Sequence, residues 1–249
     1  MSRLAPLLDL LAAAGRAVTA LGRRWPLAAA ALWCLLAALL SYLLFDRFVA
    51  LWFKQHLPGS NWEGFFKIVT TLGLGGVWLI PPPLLWLACR WQQARAAYGD
   101  EAGRWRRRAD ALLYFFLTVA LSGLFVDAVK VVVGRYRPRA LFEQGLYGFH
   151  PFSAHWAINS FPSGHSQTIF AAMMALAVIV PRYNRAWLLL AALVAFSRVA
   201  TSVHYLSDVI MGSYIGICAA LLMHRAFRAR GIEVRLGACP CNRTRRTAG

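Results

Sequence analysis

A chain of 249 residues that is 59% hydrophobic and 15% charged, with a mean hydropathy of +0.51, lies outside the range of soluble globular domains. Its 27 Lys and Arg against 10 Asp and Glu are split into clusters by long uncharged runs, which excludes a continuous basic surface, so no nucleic-acid partner is expected. Arginine sorted to one side of a bilayer explains the charge better, and with no Ser/Gly/Pro-rich linker the length suits a single integral membrane domain.

In chain order, Leu4, Leu7, Leu8, Leu11, Val18 and Leu21 recur at near-helical spacing among Arg3, Asp9, Arg16, Arg23 and Arg24. This predicts an amphipathic helix lying in the membrane interface over 1–24. A cleaved signal peptide competes with that reading, but Asp9 interrupts the apolar stretch. Apolar runs close to the ~20 residues that cross ~30 Å of hydrocarbon follow at roughly 25–45, 68–89, 111–133, 165–181, 186–203 and 208–224. The fold expected is all-α: six transmembrane helices over 25–225, an outer-face loop between the third and fourth, and a basic cytoplasmic tail over 226–249. The fourth and fifth runs are short for a span. The second carries Gly73-Leu74-Gly75-Gly76 and Pro81-Pro82-Pro83, which must kink or unwind it, because each proline removes a backbone donor and clashes with the preceding turn.

Cys34, Cys89 and Cys218 lie in or beside apolar runs, where a thiol behaves as a small hydrophobe, so no disulfide framework is implied. Cys239 and Cys241 are too few and too close for a zinc site. Topology follows from the basic residues between spans. With the N-terminus cytoplasmic, nineteen of the 27 Lys and Arg fall inside, and Arg47, Lys54, Lys67, Lys130, Arg135, Arg137, Arg139 and Arg198 fall outside. The positive-inside rule then places both termini in the cytoplasm.

Three segments crowd polar residues where a bilayer disfavours them: Lys130 to Arg137-Pro138, Pro162-Ser163-Gly164-His165, and Ser197-Arg198 to His204 and Asp208. The span assignment puts all three at the outer ends of helices. Unpaired ionisable groups at such depth cost about 2.5–3.5 kcal/mol each, so a function must offset the placement.

Lys-x6-Arg-Pro, Pro-Ser-Gly-His and Ser-Arg-x5-His-x3-Asp, in this order, resemble the three-part signature of the type 2 phosphatidic acid phosphatase (PAP2) superfamily, with no motif position missing. The signature covers 130–208, and the helix pattern extends the likeness over about 25–225. Soluble haloperoxidases of that superfamily are not bundles of apolar runs, so the resemblance is to its lipid-phosphatase branch. It implies a bacterial cytoplasmic-membrane enzyme, and the positive-inside count turns its site to the outer, periplasmic face. Candidate substrates are undecaprenyl diphosphate, phosphatidylglycerophosphate, phosphatidic acid or, as an alternative, a phosphate on lipid A.

The residues support the same chemistry on their own. A transferring phosphoryl group spreads charge over three oxygens, and a site catalyses mainly by pre-placing donors on them. Lys130, Arg137 and Arg198 supply cations, the arginines bidentate and the lysine as a point charge. Ser163 and Gly164 open a helix whose free N–H groups and positive end suit an anion. His204, oriented by Asp208, is the expected nucleophile, giving a phosphohistidine. His165 protonates the leaving alkoxide and then activates water. No metal or cofactor is required, and Asp127 with Asp208 alone makes a poor magnesium site.

Taken singly, each motif has a plainer reading. Lys130 pairs with Asp127 or snorkels, Pro-Ser-Gly-His is an ordinary helix start, and a His204/Asp208 pair is structural. Arg135 and Arg139 lie outside the signature and are expected at the solvated rim, touching a second phosphate or an acidic lipid surface at most. Between Gly134 and Phe161, Phe142, Tyr147, Phe149, Phe152 and Trp156 suit the headgroup level, as a substrate wall or as a plain aromatic belt. A lipid or solute transporter is the rival class; Pro81-Pro82-Pro83 would suit its broken helix, but no second Gly/Pro-broken segment appears in the later half.

Overall fold

The structure is a computed structural model that describes residues 22–96, 99–153, 155 and 158–236. Most of the amphipathic 1–24 segment, Trp156, Cys239 and Cys241 lie outside the described residues.

The described chain is helical. Pro26–Leu40 (α1), which starts on a proline whose missing N–H costs nothing at N1, passes through a π-helical turn at Ser41–Phe45 into Asp46–His56 (α2). The turn brings the Ser41 hydroxyl onto Asp46 Oδ1, 2.7 Å away, with both residues buried. Asn61–Val69 (α3) is capped by Ser60. The chain then breaks in a 3₁₀ turn at Thr70–Gly73, followed by an extended Leu74, before Gly75–Leu79 (α4) and Pro81–Arg95 (α5). Asn61–Leu79 and Pro81–Arg95 meet at 41°. The kinked second run expected from its glycines and prolines is therefore observed. Asp100–Val133 (α6) ends on Gly134, whose φ of 54° is left-handed and which a side chain would drive into the His150 carbonyl. The loop beyond carries an unpredicted short helix, Pro138–Gln144 (α7), then come Gly164–Ile179 (α8), Asn184–Ala200 (α9) and Leu206–Ala229 (α10). Among the described residues the β structure is one isolated bridge, Arg135 to Phe149.

Helix α8 is central, packed against α6, α9 and α10, with α5 outside α6 and α1 outside α10. Its Ala171, Ala172, Met173 and Ala175 are fully buried. Close approach of α10 depends on Gly212 and Gly216, since a Cβ at Gly216 would lie 2.5 Å from the Gln167 carbonyl. Without a hydrophobic drive between helices in lipid, such small residues are what let backbones touch. Polar links tie the layers: Gln167 donates to Ser122 (2.6 Å) and the Tyr114 hydroxyl to the Ala220 carbonyl (3.0 Å). Leu36, Leu43, Leu44, Phe48 and Leu124 stay exposed, as a lipid-facing surface requires.

Pro26–His56, Asp100–Val133 and Leu206–Ala229 are long and apolar enough to cross a membrane, with the bent Asn61–Arg95 pair a fourth candidate, whereas α8 is shorter at 16 residues. The protein is an integral membrane protein.

Candidate active site

The three signature segments meet at one end of α8. Ser163 is the N-cap: its hydroxyl accepts from the Ser166 amide (3.4 Å) and hydroxyl (2.9 Å), while its own amide donates to the Asp208 carbonyl (3.0 Å). The first turn of α8 is thus pinned to the first turn of α10, and the Ser163-Gly164-His165 helix start expected from sequence is in place. Gly164 faces Lys130, whose Nζ would lie 2.9 Å from a Cβ there. That same Nζ pairs with Asp127 Oδ1 at 2.8 Å, the plain i,i+3 contact that the spacing offers.

His165 points to the broken second run, where a Cβ at Gly73 would lie 2.8 Å from its ring. Arg198, 7% exposed, donates from Nη1 to Thr70 Oγ1 at 2.6 Å, and its buried Nε has no partner. Arg137 donates to the Asn159 carbonyl at 3.3 Å. Arg198, His204, Lys130 and Arg137 all lie close enough to act electrostatically on the His165 ring. Three cations and two imidazoles therefore lie close together at the start of α8, a gathering of positive charge that an anion placed between them would offset.

His204 and Asp208 are four positions apart, but they do not share a helix face. α10 starts at Leu206 with Tyr205 as N-cap, and His204 sits in the loop before it, its amide donating to the Arg198 carbonyl (3.2 Å). A loop position lets the ring reach Asp208 from outside the helix: His204 Nδ1 is 3.6 Å from Asp208 Oδ2, longer than a hydrogen bond, with the Ser160 hydroxyl 3.5 Å from the same nitrogen. Catalytic contacts often tighten only when substrate is bound. Burial pushes the imidazole down to about 4 against the opposing pull of Asp208, so the ring is neutral at physiological pH.

Asp208 holds more than His204. Its Oδ2 also accepts from Ser160 Oγ (2.6 Å) and the Tyr205 amide (2.9 Å), and its Oδ1 from Arg135 Nη1. Here the expectation for Arg135 fails. Far from the rim, it is 1% exposed, bridging Asp208 and, through Nη2 at 2.7 Å, Asp46 of α2. Burial disfavours its guanidinium, but Asp208 and Asp46 more than offset this and hold it charged. Asp46 completes the network by accepting from the Ser207 amide (3.0 Å) and hydroxyl. Sequence reasoning missed Asp46, Ser160 and Thr70. A lone acid at the very end of an apolar run was the available clue for Asp46; Ser160 and Thr70 carried none. Arg139 is at the rim as expected, paired with Glu143 at 2.7 Å. Among the described residues, no three His, Cys, Asp or Glu side chains are grouped to hold a metal ion.

A model of the PAP2 superfamily matches residues 111–232. Over 206 residues the chain is 35% identical to a lipid A 1-phosphatase of Rhizobium johnstonii, covering 80% of each chain, and over 123 residues 40% identical to a lipid A 1-phosphatase of Rhizobium etli, covering 49% of this chain and 53% of that one. A solved structure, the PAP2 type phosphatidylglycerolphosphate phosphatase of Bacillus subtilis, superposes with a TM-score of 0.59 at 20% identity, covering 82% of this chain and 96% of that one, a likeness of fold. The protein is a membrane lipid phosphatase. The chain belongs to the PAP2 superfamily.

Proposed function

We propose that this enzyme removes a phosphate from a glycolipid of the lipid A class, through a phosphohistidine on His204. The reading is carried by the convergence of Lys130, Arg137 and Arg198 with His165 and His204 around the start of α8. With Nδ1 turned to Asp208, Nε2 carries the lone pair that attacks phosphorus. Lys130, Arg137, Arg198 and the free amides after Ser163 take the phosphoryl oxygens, whose charge develops during transfer. His165 donates a proton to the leaving oxygen, then removes one from the water that cleaves the phosphorus–nitrogen bond and restores His204. Asp208 stabilises the imidazolium formed on attack. The lipid A assignment, ahead of undecaprenyl diphosphate, phosphatidylglycerophosphate or phosphatidic acid, is supported by the relative matched over 80% of both chains.

The same reading takes 1–24 as an interfacial segment, 25–225 as a bundle of six crossings with α8 and α9 embedded among longer helices, and 226–249 as a cytoplasmic tail. It places the enzyme in the bacterial inner membrane with the site facing the periplasm. Phosphate release from a panel of purified lipid phosphates by protein in detergent tests it. Preference for a lipid A phosphate is the expected result, and turnover confined to a glycerolipid or prenyl phosphate overturns the substrate assignment.

A further inference from the structure

Beside the cradle, and sharing Arg137 with it, the ends of α2 and α3, helix α7 and the 201–203 loop enclose a second cavity of about 350 Å³. Lys54, Lys67, Arg137, Arg139, Glu63 and Glu143 supply its charge, and Phe142 and Phe53 an apolar wall. Lys67 and Arg139 are held by Glu63 (2.6 Å) and Glu143 (2.7 Å). Lys54, exposed, lies 5.5 Å from the centre of the Phe142 ring and among the described residues forms no ion pair. Four cations against two carboxylates leave this cavity positive, and since Arg137 belongs to both, cavity and cradle together gather six cations. One transferring phosphate is served by Lys130, Arg137 and Arg198, which leaves the charge of Lys54, Lys67 and Arg139 without a share in it. The loop that lines the cavity, Thr201 to Val203, leads directly into His204 in the chain, and Arg137 borders both the cavity and the cradle.

We propose that this cavity binds a second phosphate carried on the headgroup of the same substrate molecule, making the enzyme selective for lipids with two anionic groups. The proposal rests on the phosphatase reading and adds to it a substrate class. Lys54 is the specific anchor; Arg139 and Lys67, part-neutralised, shape the field.

The test uses the full-length protein in detergent and a matched pair of lipids with the same tails, one bearing a single headgroup phosphate and one bearing two. Lys54→Ala, and Lys54→Ala combined with Arg139→Ala, should raise KM for the two-phosphate lipid about five- to tenfold, the scale of one partly screened charge, while moving KM for the single-phosphate lipid less than twofold and leaving kcat for both in place. Equal rises on both lipids overturn the proposal in favour of general attraction to anionic surfaces. A change only in inhibition by added inorganic phosphate overturns it in favour of a free-anion site. Binding of the two lipids to catalytically dead His204→Ala protein is measured in parallel. Tighter binding of the two-phosphate lipid, lost with Lys54→Ala, supports the second site even if neither lipid is turned over, a result that would instead overturn the phosphatase reading.

Discussion

Arg135 and Asp46 meet at 2.7 Å, 89 positions apart in sequence, and both are 1% exposed. Through this pair and the Arg135 contact to Asp208, helix α2 is tied to the first turn of α10, and thereby to the carboxylate that faces His204.

Removing one partner of such a pair leaves the other buried and unmatched, which costs about 3–5 kcal/mol. Asp46→Ala or Arg135→Ala should therefore lower the thermal unfolding midpoint in detergent sharply. Arg135→Lys should rescue little, because a point charge cannot bridge two carboxylates as a fork does. An unaltered midpoint with full activity would show that the network is dispensable.

If His204 supplies the attacking nitrogen, as proposed, nothing replaces it, so His204→Ala should abolish turnover. His165→Ala should keep residual activity on substrates with good leaving groups, since water partly replaces a general acid. Rapid acid quench of the wild type should trap phosphohistidine at His204. Label on His165 would reverse the two roles.

The ionisation of His204 sets burial against Asp208, and burial prevails, leaving the group near 4. Its ring should stay neutral as pH falls through the ordinary histidine range and gain a proton only near pH 4. Ring-carbon NMR of His-labelled protein, assigned by comparison with His204→Ala, measures the midpoint. A value at or above about 6.5 would mean that the carboxylate outweighs desolvation.

In the proposed mechanism Arg198 and Arg137 face charge that develops during transfer, whereas Arg139 is 69% exposed and paired with Glu143. Arg198→Ala or Arg137→Ala should lower kcat by about two to three orders of magnitude, and Arg139→Ala should raise KM only a few-fold. Steady-state kinetics at two salt concentrations separate the cases. An equal kcat loss for Arg139→Ala would place that residue in the cradle.

The proposed orientation rests on the distribution of basic residues. On a cysteine-free background, His150→Cys should react with an impermeant maleimide added to intact cells and Asp100→Cys should not. The reverse pattern would turn the site toward the cytoplasm.

Much of this molecule is written locally. Apolar runs name their helices because a backbone in lipid must satisfy its own hydrogen bonds, and Gly73 and Pro81 name the breaks because they deny the helix a side chain or a donor. The three motifs were legible because a phosphate site needs fixed residue types at fixed offsets around helix ends. What the sequence could not show is which distant groups pair. Arg135 looks like its neighbours Arg137 and Arg139, yet packing buries it between Asp46 and Asp208 while its neighbours line cavities. His204 and Asp208 have helical spacing, yet the helix starts between them, because Asp208 accepts from the Tyr205 amide and caps it there. Thr70 enters the site only because a break in the second run meets Arg198 from 128 residues away. Long-range pairing of buried charge depends on which helices pack side by side, and the three-dimensional arrangement alone decided that.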